Sequence, residues 1–119
     1  MNAIDKAWGC ELAHLGKCSG PIEAGHIVNR SQTRNVTGAE KYIQANKEVL
    51  LAHICHAHNT GRVHDEKRHR AYLLQRRVEI FGFEYVNAVV EGLRRLFKQP
   101  PAGLRLEALL SHDRTEEEA

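Results

Sequence analysis

The sequence has no long apolar run. No stretch of its 119 residues approaches the roughly 20 apolar residues a membrane helix needs. A mean hydropathy of -0.48 also argues against an integral membrane protein. The opening MNAIDKAWGC carries Asp5 and no apolar segment, so no secretory leader is expected and a cytoplasmic setting is. Cysteine is scarce and odd in number, at Cys10, Cys18 and Cys55. Three thiols cannot all pair, and disulfides are rare in a reducing compartment, so a disulfide framework is excluded. Thiolates on a metal, or buried thiols, remain. Internal repeats are absent, and the only biased tract is the short acidic end TEEEA.

Net charge is small, at +2, but unevenly spread. The acidic end offsets a basic middle containing Arg30, Arg34, Lys41, Lys47, Arg62, Lys67, Arg68, Arg70, Arg76 and Arg77. Such a middle suits a polyanion such as nucleic acid, or is a solubilising helix surface; charge alone does not separate the two. The length fits one domain with a modest core, which a metal staple would help.

NAIDKAW could form a short first helix. A turn at Ser19-Gly20-Pro21 leads into a strand over about 22–28. NRSQTRNVTGAEKYIQAN is polar and reads as a long loop. KEVLLAHI reads as a second, mostly buried strand, so the two strands are expected to pair as an antiparallel hairpin. Tyr72, Leu73, Leu74, Val78, Ile80 and Phe81 recur at helical spacing, with Asp65 and Glu66 at the favourable end and Gly82 as the stop. FEYVNAVVEGLRRLF gives a further helix with Val86, Val89, Val90, Leu93 and Leu96 inward, ended by Pro100 and Pro101. The remainder starts helical and is expected to finish disordered.

The stretch LLAHICHAHNTGRVH crowds four histidines and Cys55 behind a short apolar run. Cys55 and His58 form a C-x2-H pair, and seven residues separate Cys10 from Cys18. Structural zinc takes four tetrahedral sulfur or nitrogen ligands, usually as two pairs from separate segments. Cys10, Cys18, Cys55 and His58 supply such pairs on either side of the expected hairpin. The plainer alternative is buried thiols with solvated histidines.

In the order CELAHLGKCSG, GHIVNRS, Asn46 and LLAHICHAHN, the chain resembles the HNH endonucleases, the zinc-stabilised ββα-metal nucleases common in phages and prophages. The resemblance covers roughly residues 10–70. It implies an α+β fold: a ββα-metal core of hairpin plus helix, stapled by structural zinc, with further helices after it. Domain bounds follow as 1–98 for the nuclease domain with its helical extension, and 99–119 for a C-terminal helix and acidic tail. The resemblance implies His26 as general base, making a nucleophile from water that attacks a DNA phosphodiester. An imidazole titrates in the range such a base needs. Asn46 would orient the hairpin loop and the base. Asn59 would bind the catalytic divalent ion, for which magnesium or manganese suits an amide oxygen better than zinc. Arg30, Arg34 and Arg62 are candidate nucleic-acid contacts. DNA is the implied partner, with phage packaging or other phage proteins a further one, in a bacterial or phage-encoded cytoplasmic setting.

Three departures stand out. Gly25 occupies the place of the usual metal ligand before the base, so either metal binding is weak, or another residue such as Glu23 or His64 contributes, or catalysis is lost. The last zinc ligand is His58 rather than cysteine. The stretch from Asn46 to Cys55 is long, and a rival register would make His56 the catalytic helix histidine while putting Ala52 in a zinc position. The alternative to a nuclease is a catalytically degenerate HNH-fold zinc module that binds nucleic acid or a partner protein.

Overall fold

The computed structural model describes residues 9–111. The first helix expected at 2–8 and the acidic end lie outside those residues. The fold is mixed α+β. Strand β1 (Ile22–His26) pairs antiparallel with β2 (Leu51–Cys55), in a register that sets Ile22 opposite Cys55, Gly25 opposite Ala52 and His26 opposite Leu51. Between the strands lie α1 (Arg30–Thr33), α2 (Ala39–Ala45) and α3 (Lys47–Leu50). After β2 come α4 (His56–Thr60), α5 (Lys67–Phe81) and α6 (Phe83–Arg94). A last helix starts at 106 and runs to the end of the described residues.

The polar stretch 29–46 is therefore not a loop. Asn29 caps α1 by accepting from the Ser31 N–H at 2.8 Å, an ordinary helix start for an Asx side chain. Gly38, at φ 82°, opens α2, and the buried pair Ala39 and Ile43 gives that helix its inward face at i, i+4. Tyr42 ties α2 to α6, donating its hydroxyl to the Val89 carbonyl at 2.7 Å. The second strand is shorter than KEVLLAHI implied. Lys47 to Leu50 make a helical turn on the Asn46 carbonyl, which accepts from the Val49 and Leu50 N–H groups. Val49 and Leu50 are buried in either conformation, so their apolar run does not distinguish turn from strand.

Leu73 and Leu74 from α5 and Val86, Val89, Val90 and Leu93 from α6 enter the core. Ile80 and Leu96, also expected inward, are exposed. Gly82, at φ 92°, makes the corner between the two helices, a conformation a side chain would strain. Helix α6 ends at Arg94, several residues before the prolines. Leu104, Leu106 and Leu109 join the same core, so residues beyond 98 pack with the rest. No helix among the described residues is long and apolar enough to cross a membrane.

Arg77 departs most from the basic-surface expectation. Its side chain is 1 % exposed and that of its partner Glu11 is 0 %. The guanidinium donates to both Glu11 carboxylate oxygens at 2.7 Å. It also donates to the Leu73 and Leu51 carbonyls at 2.9 Å. Glu11 in turn accepts from the His53 N–H at 2.8 Å, while its own N–H donates to the His53 carbonyl at 2.7 Å. Residue 11 is thus held against β2 from both backbone and side chain. Removing one partner of such a pair leaves a buried charge unmet, at about 3–5 kcal/mol. Arg77→Met should lower the free energy of unfolding by that order in urea titrations. The double variant Glu11→Gln/Arg77→Met should lose clearly less than the sum of the two single losses.

Candidate functional site

Two groups of side chains gather around β1, β2 and α4, one toward each end of the hairpin. The first is Cys10, Cys18, Cys55 and His58, whose ligand atoms all lie within 4.8 Å of one another. Cys10 and Cys18 flank a short 3-10 turn, Ala13–Leu15. Cys55 closes β2, and His58 lies within the single helical segment α4 that follows. Cys10 Sγ is 3.3 Å from His58 Nδ1 and accepts from the Cys55 N–H, also at 3.3 Å.

The second nitrogen of His58 bears on what the cluster could hold. Nε2 is 2.8 Å from the Gly16 carbonyl oxygen. A carbonyl only accepts, so Nε2 carries the proton and Nδ1 turns a free lone pair toward the sulfurs. A histidine oriented this way by a backbone carbonyl is the usual arrangement of a metal ligand. The thiols fit the same reading. Burial works to raise Cys55, but hydrogen bonds from the His58 and Ser19 backbone and from the Cys18 and Cys10 thiols together outweigh it and hold the thiol below its ordinary value. Cys18 is pushed up, by desolvation and by hydrogen bonding with Cys10 and Cys55. Sulfurs this close cannot all ionise without a cation among them, and a divalent metal such as zinc would supply it. The cluster holds the four residues of the favoured register; His56 lies outside it.

The second group surrounds a cavity of about 160 Å³ lined by His26, Arg30, Asn59, Arg62, His64 and Asp65. His26 ends β1, and its Nε2 lies 2.9 and 3.2 Å from the two carboxylate oxygens of Glu40 on α2. Glu40 is held below the usual carboxylate range, first by a hydrogen bond from Gln44 and then by His26 and Arg30. As a carboxylate it accepts only, so the His26 proton sits on Nε2 and Nδ1 keeps a lone pair. Asn59 donates Nδ2 to Glu23 Oε1 at 2.8 Å, which leaves its amide oxygen free. The Glu23 carboxyl is lowered chiefly by that bond and next by His56, whose Nδ1 is 2.6 Å from Oε2. His64 is 6 % exposed. Burial holds its pKa down against the pull of Asp65, and its Nδ1 is buried with no hydrogen-bond partner. Asp65 meanwhile accepts from Arg62 Nε at 2.9 Å. An orphaned imidazole nitrogen and a free amide oxygen on one cavity are donors a divalent ion could use. The described residues bring no second set of three or more Cys, His, Asp or Glu ligands together as they do at the first cluster.

Of the remaining expected residues, Asn46 donates Nδ2 to the Tyr42 carbonyl at 2.9 Å and shapes the α2–α3 junction. Arg34 is exposed at the end of α1 and does not line the cavity. Glu40 and Asp65 had no part in the sequence-based site. Glu40 falls in the stretch read as loop, where nothing marks it out until α2 is seen to fold back on β1. Asp65 was read only as a helix-start charge.

Gly25 has a steric explanation. A Cβ there would meet Ile54 Cδ1 at 2.6 Å and Asn59 Oδ1 at 3.2 Å. Ile54, which is fully buried, fills the space a side chain at 25 would take. No protein-family model matches the chain, and no curated protein or solved structure matches it significantly.

Purified protein is expected to carry one divalent metal per chain by elemental analysis. Cys55→Ser and His58→Ala should lose it, along with most of the cooperative unfolding transition, because metal binding in such small sites is folding free energy. Gly25→Asp should destabilise by about 1–3 kcal/mol through overpacking. Adding Ile54→Val should recover part of that loss in the same denaturant titration.

Proposed function

We propose that this chain is a metal-dependent endonuclease of the HNH type that nicks DNA, with His26 as general base and zinc in the cluster of three cysteines and His58. The reading rests on one observation: His26, Asn59, His64 and Arg30 converge on a single cavity, beside a metal-ligand cluster, on an antiparallel hairpin closed by a short helix. In this mechanism a water in the cavity gives its proton to His26 Nδ1 as its oxygen attacks phosphorus, and the bond to the leaving oxygen breaks. Glu40 holds the ring by Nε2 and stabilises the imidazolium that forms, the service a carboxylate gives a catalytic histidine in other hydrolases. Arg30 and Arg62 hold phosphate oxygens, and Arg34 extends the basic surface along α1. Asn46 fixes the turn that returns the chain from α2 to β2. Asn59 and His64 would hold magnesium or manganese with few protein ligands, as such hard ions tolerate. When bound, that ion supplies charge neutralisation at the scissile phosphate.

A second reading, a zinc-stapled module that grips nucleic acid without cutting it, is favoured by Ile54 filling the place of a ligand at 25. One experiment separates the two: conversion of supercoiled to open-circular plasmid in magnesium or manganese, by wild type and His26→Ala, with metal content checked in both. Loss of a general base typically costs about 10²–10⁴-fold in rate. The nuclease reading expects such a loss in a folded, zinc-loaded variant. No nicking by either protein, with zinc retained and DNA bound equally with and without magnesium, supports the binding module instead.

A further inference from the structure

We infer that a second pocket, beside the first, binds a backbone phosphate of the nucleic acid, next along the strand from the one at His26. This rests on the nucleic-acid reading above. The pocket has a volume of about 210 Å³, with Gln32, Lys67 and Arg70 on its walls and Val28, Leu104 and Leu109 beneath.

The arginine carries the argument. Arg70 is partly buried, and desolvation pulls its pKa down. Its Nε is buried without a hydrogen-bond partner. Arg76, Arg77 and Arg94 also have a buried, unpartnered Nε, but each of those lies against a glutamate: Arg76 and Arg77 on Glu11, Arg94 on Glu91. Arg70 has no ion pair and no side-chain hydrogen bond among the described residues. The carboxylate that acts on it electrostatically, Asp65, is already engaged by Arg62 and lies 3.6 Å from His64. Partial burial without a bonded carboxylate leaves this guanidinium short of a counter-charge. Its fork of donors matches a phosphate, and Lys67 adds a second cation at the same mouth.

The position of the pocket identifies the phosphate. The two cavities draw on the same two chain segments, through different residues. Along 28–32, Arg30 lines the first cavity, while Val28 and Gln32 line the second. Along 64–70, His64 and Asp65 line the first, while Lys67 and Arg70 line the second. Phosphates recur regularly along one strand, so a strand with one phosphate at His26 would present others toward a neighbouring pocket lined by the same two segments. The contact is sequence-independent: it positions the strand and reads no base.

The test uses a fluorescein-labelled 20-base-pair duplex and the full chain carrying His26→Ala, so that binding is read without cutting. Adding Arg70→Ala or Lys67→Ala should each weaken binding roughly tenfold near 0.1 M salt, alike on unrelated sequences, and lower the salt slope by about one. Arg70→Lys should keep the slope and lose part of the affinity. Melting temperature in phosphate-free buffer should stay level or rise in Arg70→Ala, since an unmet charge is removed. Millimolar inorganic phosphate should raise it in the parent and not in Arg70→Ala. Unchanged affinity and slope in both variants overturns the assignment, as does an affinity loss that tracks a lower melting temperature or lost zinc. Deleting 112–119 discriminates further: if that raises affinity while Arg70→Ala has no effect, the acidic end and not DNA answers this arginine, and the proposal fails. Should wild type fail to nick plasmid while Arg70→Ala still weakens binding, the nuclease reading falls and the phosphate pocket stands.

Discussion

The carboxylate of Glu11 joins three parts of the molecule at one buried point. It receives the Arg77 fork from α5 and the His53 N–H from β2, and it sits next to Cys10 in the chain. Arg77 spreads the connection by donating to carbonyls of α5 and β2. Four of its five N–H groups are thereby placed, and only Nε lacks a partner. A buried ion pair is not a strong source of stability in itself, because desolvation offsets most of the attraction. Its value here is orientation. An apolar pair would bury as well, but would not fix which turn of α5 meets which residue of β2. With that register set, Cys10 approaches Cys55 from a defined side, and the metal cluster has its first two sulfurs.

The two clusters divide the hairpin between them. The sulfur cluster gathers at the end where β1 begins and β2 ends. The cavity with His26 opens where β1 ends. Helix α4 serves both, because consecutive helical residues point about 100° apart: His58 turns to the sulfurs, and Asn59 turns toward Gly25 and Glu23. A metal that fixes His58 therefore also fixes the direction of Asn59. A metal at the cluster would thus help order the cavity, even though no atom need be shared.

What could be read in the sequence was whatever spacing encodes locally. Two ligand pairs on either side of a hairpin, the hairpin itself, and the apolar repeats of α5 and α6 all follow from neighbours within a few positions. Helices α1 and α2 were not legible, because Asn29 and Gly38 are loop residues as often as helix starts, and the buried face of α2 amounts to Ala39, Ile43 and part of Tyr42. Arg77 was hidden for a different reason: its partner lies 66 residues away, so it counted as one more surface cation. Glu40 was invisible for the same reason on a smaller scale, since its bond to His26 exists only once α2 has folded back. The pattern is consistent: residues whose role depends on a contact distant in sequence carry no local mark.

Ile54 has a bearing beyond its own packing. Its methyl occupies the place above Gly25, so positions 25 and 54 are one character in two letters. A side chain at 25 would need a smaller residue on the opposite strand, and changing either position alone would leave the pair crowded or hollow. Change at either position is thus contingent on the other, and the coupling runs from the hydrophobic core straight to the cavity. With Ile54 in place, any side chain at 25 is resisted by the core itself.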